Sequence, residues 1–177
     1  MHSSTIKIGS NLSLAQKEML VCREDLGEKI FLEISALTPI INVDLLIQNS
    51  LEETLLVWRD DQFHKGWHFI GGVLRNNESL SSRVKKTASN ELNIDLQILS
   101  GPIEINEMLF PQNNYRNHFL SFLYNCKINS NLNMNLKYLE SNTPSHGEWK
   151  WFNHAPNDLI PEQSLYRKYF NKGGIKS

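Results

Sequence analysis

WHFIGGVLRNNESLSSRVKKTASNELNI, Trp67 to Ile94, is the stretch whose reading decides the fold. It opens as an apolar strand and runs into Gly71-Gly72, where the backbone can approach a ligand closely and turn a carbonyl oxygen toward a metal. A polar loop follows, then an amphipathic helix, then apolar sequence again at Ile94. With Ser79 to Leu92 helical, Thr87, Asn90 and Glu91 fall at i, i+3 and i+4 and share one face. Glu91 is the carboxylate on that face. Mg²⁺ prefers hard oxygen donors, keeps several waters, and usually takes one or two carboxylates together with substrate phosphates. Glu91 and a carbonyl of the Gly71-Gly72 pair therefore predict a metal site of that kind, and the plain alternative is a surface helix carrying an ordinary charge.

Outside that stretch, composition sets limits. The chain has 177 residues, enough for one domain with a substantial core. Apolar residues make up 40% and charged residues 21%, the proportions of a soluble globular protein. A formal net charge of −1 gives no electrostatic case for nucleic acid, so an anionic ligand must be met by local cations. Cys22 and Cys126 stand in no metal-like spacing and read as reduced thiols of a cytoplasmic protein. No apolar run is long enough to span a bilayer, and no membrane partner is expected.

The chain before the glycines divides at about residue 37. Ser13 to Glu24, SLAQKEMLVCRE, predicts a short amphipathic helix, and Ile30, Phe31, Ile34 and Leu37 predict a second one stopped by Thr38-Pro39. Residues 1–37 are accordingly read as a helical extension that packs across a homodimer, and 38–177 as the main domain. Ile40 to Gln48 and Thr54 to Trp58 read as strands. Asp44 is an acid inside an apolar strand, so it either faces solvent or lines a site. Arg59 precedes the polar loop DDQFHKG; its ordinary role is a surface salt bridge, its sharper one a bidentate clamp on phosphate oxygens.

After the helix, Ile94 to Phe110 contains a long strand broken at Gly101-Pro102. His118 to Ile128 is another, with His118, Leu120, Phe122 and Tyr124 on one face. Ser130 to Ser145 has no clear period and reads as a loop leading into His146-Gly147-Glu148. Glu148 to Phe152 predicts a short strand. Pro161 to Asn171 predicts a closing helix with Leu165, Tyr169 and Phe170 on its apolar side.

The glycine–loop–helix stretch resembles a Nudix box: Gly72 and Glu78 meet its first part in register, while Thr87, Asn90 and Glu91 fall on its three glutamates. Only the last is kept. Between Leu26 and Phe170 the chain is similar to the GDP-mannose mannosyl hydrolase branch of that superfamily. TPIINVDLLI, WHFIGG, KTASNEL, NYRNHFLSF, SHGEWKWF and SLYRKYF carry the likeness.

The resemblance implies an α/β fold, a Nudix α/β/α sandwich around a mixed sheet. It also implies Mg²⁺-dependent hydrolysis, with Mn²⁺ as a substitute, of a nucleoside-diphosphate sugar by water attack on the anomeric carbon. By position, Gly71, Glu91 and Glu148 would hold the metal. Arg59 would contact the diphosphate, Asp44, Tyr115 and His118 the sugar, and His146 would be the general base. Val73 stands where the branch has an arginine, and Ser145 where it has a metal-binding glutamine. Those departures keep a second expectation open, a Nudix domain that binds a nucleotide or nucleotide sugar without turning it over.

Overall fold

The computed structural model describes residues 28–113, 116–140 and 142–170. Helix α1, Glu28–Leu37, ends where the sequence predicts, one residue before Thr38-Pro39. Leu37 is 85% exposed and drops out of the expected face, while Phe31 and Ile34 are half-buried and Ser35 beside them is buried, so α1 meets the body of the protein through its earlier turns. The predicted helix over 13–24, and with it the homodimer built on it, lies outside the described residues.

Among the described residues seven strands follow in two sheets. The first has the order β4-β1-β6-β5 and the second β3-β2-β7. Strand β1, Ile40–Ile47, runs parallel to β6, His118–Ile128, and antiparallel to β4, Gly71–Val73. Strand β5, Leu96–Leu109, is antiparallel to β6, with register shifts on both sides of Ser100 next to Gly101-Pro102. At Gly101 the Tyr124 ring occupies the space a Cβ would need, so the interruption of β5 is a bulge packed on its neighbour. Strand β2, Thr54–Asp60, pairs with β3, Lys65–His68, and with β7, Trp149–Phe152.

Trp67 to Val73 is not one strand running to the glycines. Phe69 and Ile70 carry the chain from β3 in one sheet to β4 in the other. Helix α2, Leu80–Leu92, starts at Ser79, whose hydroxyl accepts from Ser82 N–H, and ends on Asn93 in the left-handed conformation at φ 52°.

Two cores lie on opposite sides of this sheet system. Val43, Leu45 and Ile47 of β1 pack with Val84, Ala88 and Leu92 of α2. Leu46, from the other face of β1, packs with Phe69, Tyr166 and Phe170. Burial on both faces explains why β1 reads as a continuous apolar run, and each fully buried large side chain contributes roughly 1.5–3 kcal/mol. The result is the expected α/β/α layering, with one difference: Pro161–Tyr169 is a 3-10 helix. Its period of three aims Gln163 and Tyr166 inward as well, beside the expected Leu165, Tyr169 and Phe170, which pack against the same core.

Candidate functional site

Strand alternation gives Asp44 the same face of β1 as Leu46, toward the 3-10 helix. The carboxylate is buried and held by four donors. Asn42 Nδ2 (3.0 Å) and Gln163 Nε2 (3.2 Å) donate to Oδ1, and Tyr166 Oη (2.8 Å) and Ser121 Oγ donate to Oδ2. Burial pushes its pKa up, and the four hydrogen bonds oppose the shift. Gln163 also bridges the N–H and carbonyl of Phe69, at 2.7 and 3.0 Å. Asp44 thus ties β1, β6, the strand crossover and the 3-10 helix together at the floor of a cleft of about 1000 Å³.

The glycines form one wall. A Cβ on Gly71 would come within 2.5 Å of Asp44 Oδ1, and one on Gly72 within 2.3 Å of Thr87 Oγ1. Leu45 N–H bonds to Ile70 O and Leu74 N–H to Ile41 O. The alternation of an antiparallel ladder then turns the Gly71 carbonyl away from β1, off the sheet edge. Glu91 lines the same cleft from α2. It is exposed at the rim, yet the protein around its carboxyl raises the pKa, against the fields of Arg59 and His146. Thr87 Oγ1, one turn earlier on α2, is buried with no hydrogen-bond partner among the described residues.

These groups offer an oxygen-only donor set at one wall, which fits a single Mg²⁺ completed by water and ligand oxygens. Among the described residues no three His, Cys, Asp or Glu side chains converge as a metal cluster. Glu78, the other acid of the box, is occupied structurally. Arg83 reaches it at 2.6 Å and Lys86 at 3.1 Å, and although burial acts to raise its pKa, these contacts hold it below the usual value.

Arg59 lines the cleft from the end of β2 and pairs with Asp61 at 2.5 Å. Burial would raise the Asp61 pKa, but Arg59 and the N–H groups of Phe63 and His64 hold it at about 2. Arg83 of α2 and Arg116, just before β6, face the same cavity, with Phe31, Phe63 and Phe119 supplying aromatic wall.

The structure does not bring every predicted residue here. His118 lies outside the lining and meets Glu107 at 3.1 Å, because alternation along β6 gives the cleft Phe119 instead. Tyr115 lies outside the described residues. His146 is exposed, and its Nδ1 accepts the backbone N–H of Asp60 at 3.1 Å. Glu148 Oε2 accepts Ser145 N–H at 2.8 Å, closing its own loop.

His68 is a cleft residue that the sequence reading passes over. Its Nδ1 lies 2.8 Å from Val57 O and so carries the proton, leaving the lone pair on Nε2. Burial, then Arg59, pushes its pKa down to about 3, so the ring is neutral at any ordinary pH. A histidine inside the apolar run WHFI was the available signal.

No protein-family model and no curated protein matches the chain. Solved structures do. A MutT Nudix hydrolase from Burkholderia pseudomallei superposes with a TM-score of 0.60 at 16% identity, over 76% of this chain and 99% of that one. A possible asymmetric diadenosine tetraphosphate hydrolase from Jonesia denitrificans gives 0.58 at 15% identity, over 75% and 92%. An ADP-ribose pyrophosphatase from Streptococcus suis gives 0.51 at 16% identity, over 73% and 87%. At such identities the likeness shows the Nudix fold alone.

Proposed function

We propose that this Nudix-fold chain is a hydrolase of a nucleoside-diphosphate sugar of the GDP-mannose type, releasing sugar and nucleoside diphosphate. The observation that carries the reading is the convergence of Arg59, Arg83 and Arg116, from three separate parts of the chain, on the cavity that Glu91 and Gly71 border. Guanidinium groups bind phosphate oxygens bidentately, and aromatic walls suit a base or sugar ring. The solved structures named for ADP-ribose and diadenosine tetraphosphate point to the same class, a nucleotide with linked phosphates.

Glu91 and the Gly71 carbonyl would hold Mg²⁺ or Mn²⁺, which supplies neutralisation of the departing diphosphate. With one free carboxylate on the box helix, attack at the anomeric carbon is the better fit, because it asks less of the metal than attack at phosphorus. Arg59 would orient the diphosphate. His146 would take the proton from water at Nδ1 once the Asp60 N–H has let it go; until then its single lone pair is occupied.

That occupied lone pair, with the feeble basicity of His68, favours a second reading: a domain that binds the nucleotide sugar and does not cleave it. Incubation with GDP-mannose, other nucleotide sugars and ADP-ribose in the presence of Mg²⁺, with product analysis, separates them. Free sugar supports carbon attack. Sugar phosphate with a nucleoside monophosphate refutes it in favour of phosphorus attack, and tight binding without products supports the second reading.

A further inference from the structure

We infer that Arg116 is a phosphate-binding residue of the cleft, pre-positioned by helix α1 for the diphosphate of the ligand. Its backbone adopts φ 52°, and its N–H donates to Ser35 Oγ at 3.2 Å, while Ser35 donates to Leu32 O at 2.8 Å. Arg116, just before β6, is thereby pinned to α1. The guanidinium carbon lies 5.4 Å from the Phe31 ring centroid and 4.8 Å from that of Phe63. Cation–π contact with two rings holds the group in place and shields it from water.

Among the described residues no carboxylate forms an ion pair with Arg116. Its buried Nε has no hydrogen-bond partner among the described residues. The nearby acids are committed elsewhere: Asp61 pairs with Arg59 at 2.5 Å and Glu162 with His64 at 3.4 Å. Burial, then repulsion from Arg59, lowers the Arg116 pKa, with Asp61 and Glu162 opposing. Two guanidiniums that repel across one cavity are relieved by an anion lying between them, and a diphosphate has a negative phosphoryl group for each. Because two phenylalanine rings already lie against the guanidinium, the N–H edge is what remains for a ligand. That edge suits phosphate oxygens and not base stacking.

The consequence is that residues 28–37 belong to the ligand site through Phe31 and Ser35. This inference rests on the reading of the cleft as a site for diphosphate-linked ligands, and the test keeps the two apart. Methylenediphosphonate, which cannot be hydrolysed, is titrated with Mg²⁺ into the full chain by calorimetry, alongside adenosine and guanosine as phosphate-free probes.

Arg116→Gln should weaken methylenediphosphonate binding tenfold or more, Arg116→Lys should recover part of the loss, and nucleoside binding should not change. In the wild-type chain the Arg116 Nε–H resonance should shift on adding methylenediphosphonate, a readout that needs no variant to fold. An unmoved resonance, equal affinity in Arg116→Gln, or a loss confined to the nucleosides overturns the inference and leaves the proposed function standing. If the wild type binds neither methylenediphosphonate nor any nucleotide sugar, both fall.

Discussion

Asp60 donates its backbone N–H to Nδ1 of His146 across 3.1 Å, joining the end of β2 to the loop before β7. Gly147 N–H to Trp58 O, at 2.9 Å, reinforces the same junction. A neutral imidazole has one lone pair, and here it is engaged, so Nε2 carries the proton. The general-base role proposed for His146 therefore requires this junction to open. If the proposed hydrolysis of a nucleotide sugar holds, His146→Gln should lower its kcat by roughly 10² to 10⁴, with KM nearly constant. Unchanged kcat would place the base elsewhere.

Glu91→Gln should weaken Mg²⁺ binding with little effect on the thermal midpoint, since the side chain sits at the cleft rim. The protein packed around its carboxyl raises the Glu91 pKa, and a metal needs the ionised carboxylate. Wild-type Mg²⁺ affinity should consequently begin to fall at a higher pH than an ordinary glutamate would give. Calorimetry across the acid range checks both statements, and equal affinity in Glu91→Gln would remove it from the metal site.

Asp44 should leave a signature in stability against pH. Its folded-state pKa is raised above 3.8, so between 3.8 and that higher value the native protein holds a proton that the unfolded chain releases. Its contribution is greatest in acid and is lost as pH rises through the folded pKa. Asp61, held at about 2, acts in the opposite sense, with stability lost as pH falls. Urea unfolding of wild type and Asp44→Asn should therefore differ by a term that grows with pH across that window in favour of the variant. A difference independent of pH would mean that Asp44 is ionised normally. Asp44→Ala, which strands four donors, should cost about 3 kcal/mol or more.

Gly72→Ala would place a methyl group 2.3 Å from Thr87 Oγ1 and 3.1 Å from Arg83 Cδ. Both neighbours are buried on α2, so the helix must shift. A loss of roughly 1–3 kcal/mol is expected, read as a lower thermal midpoint. An unchanged midpoint would show that α2 is not packed tightly against β4.

What could be read from the chain alone was what depends on local order. Gly71-Gly72 and the helix whose face carries Thr87 and Glu91 are set by neighbours a few residues away and are found where the sequence puts them, the helix beginning one residue later, with Ser79 as its cap. The strands Ile40–Ile47 and His118–Ile128 were legible for the same reason, from period and β-branched content. Tertiary structure alone decided which side chains share the cleft. Asp44 receives Ser121, Gln163 and Tyr166 from sequence separations of 77, 119 and 122 residues, and no local period encodes such meetings. The parity of β6 gives the cleft Phe119 and keeps His118 out, the 3-10 winding of Pro161–Tyr169 selects Gln163 and Tyr166, and α1 delivers Phe31 to Arg116. Each is a choice of face or of distant partner, which the packing of whole elements settles and a single segment does not.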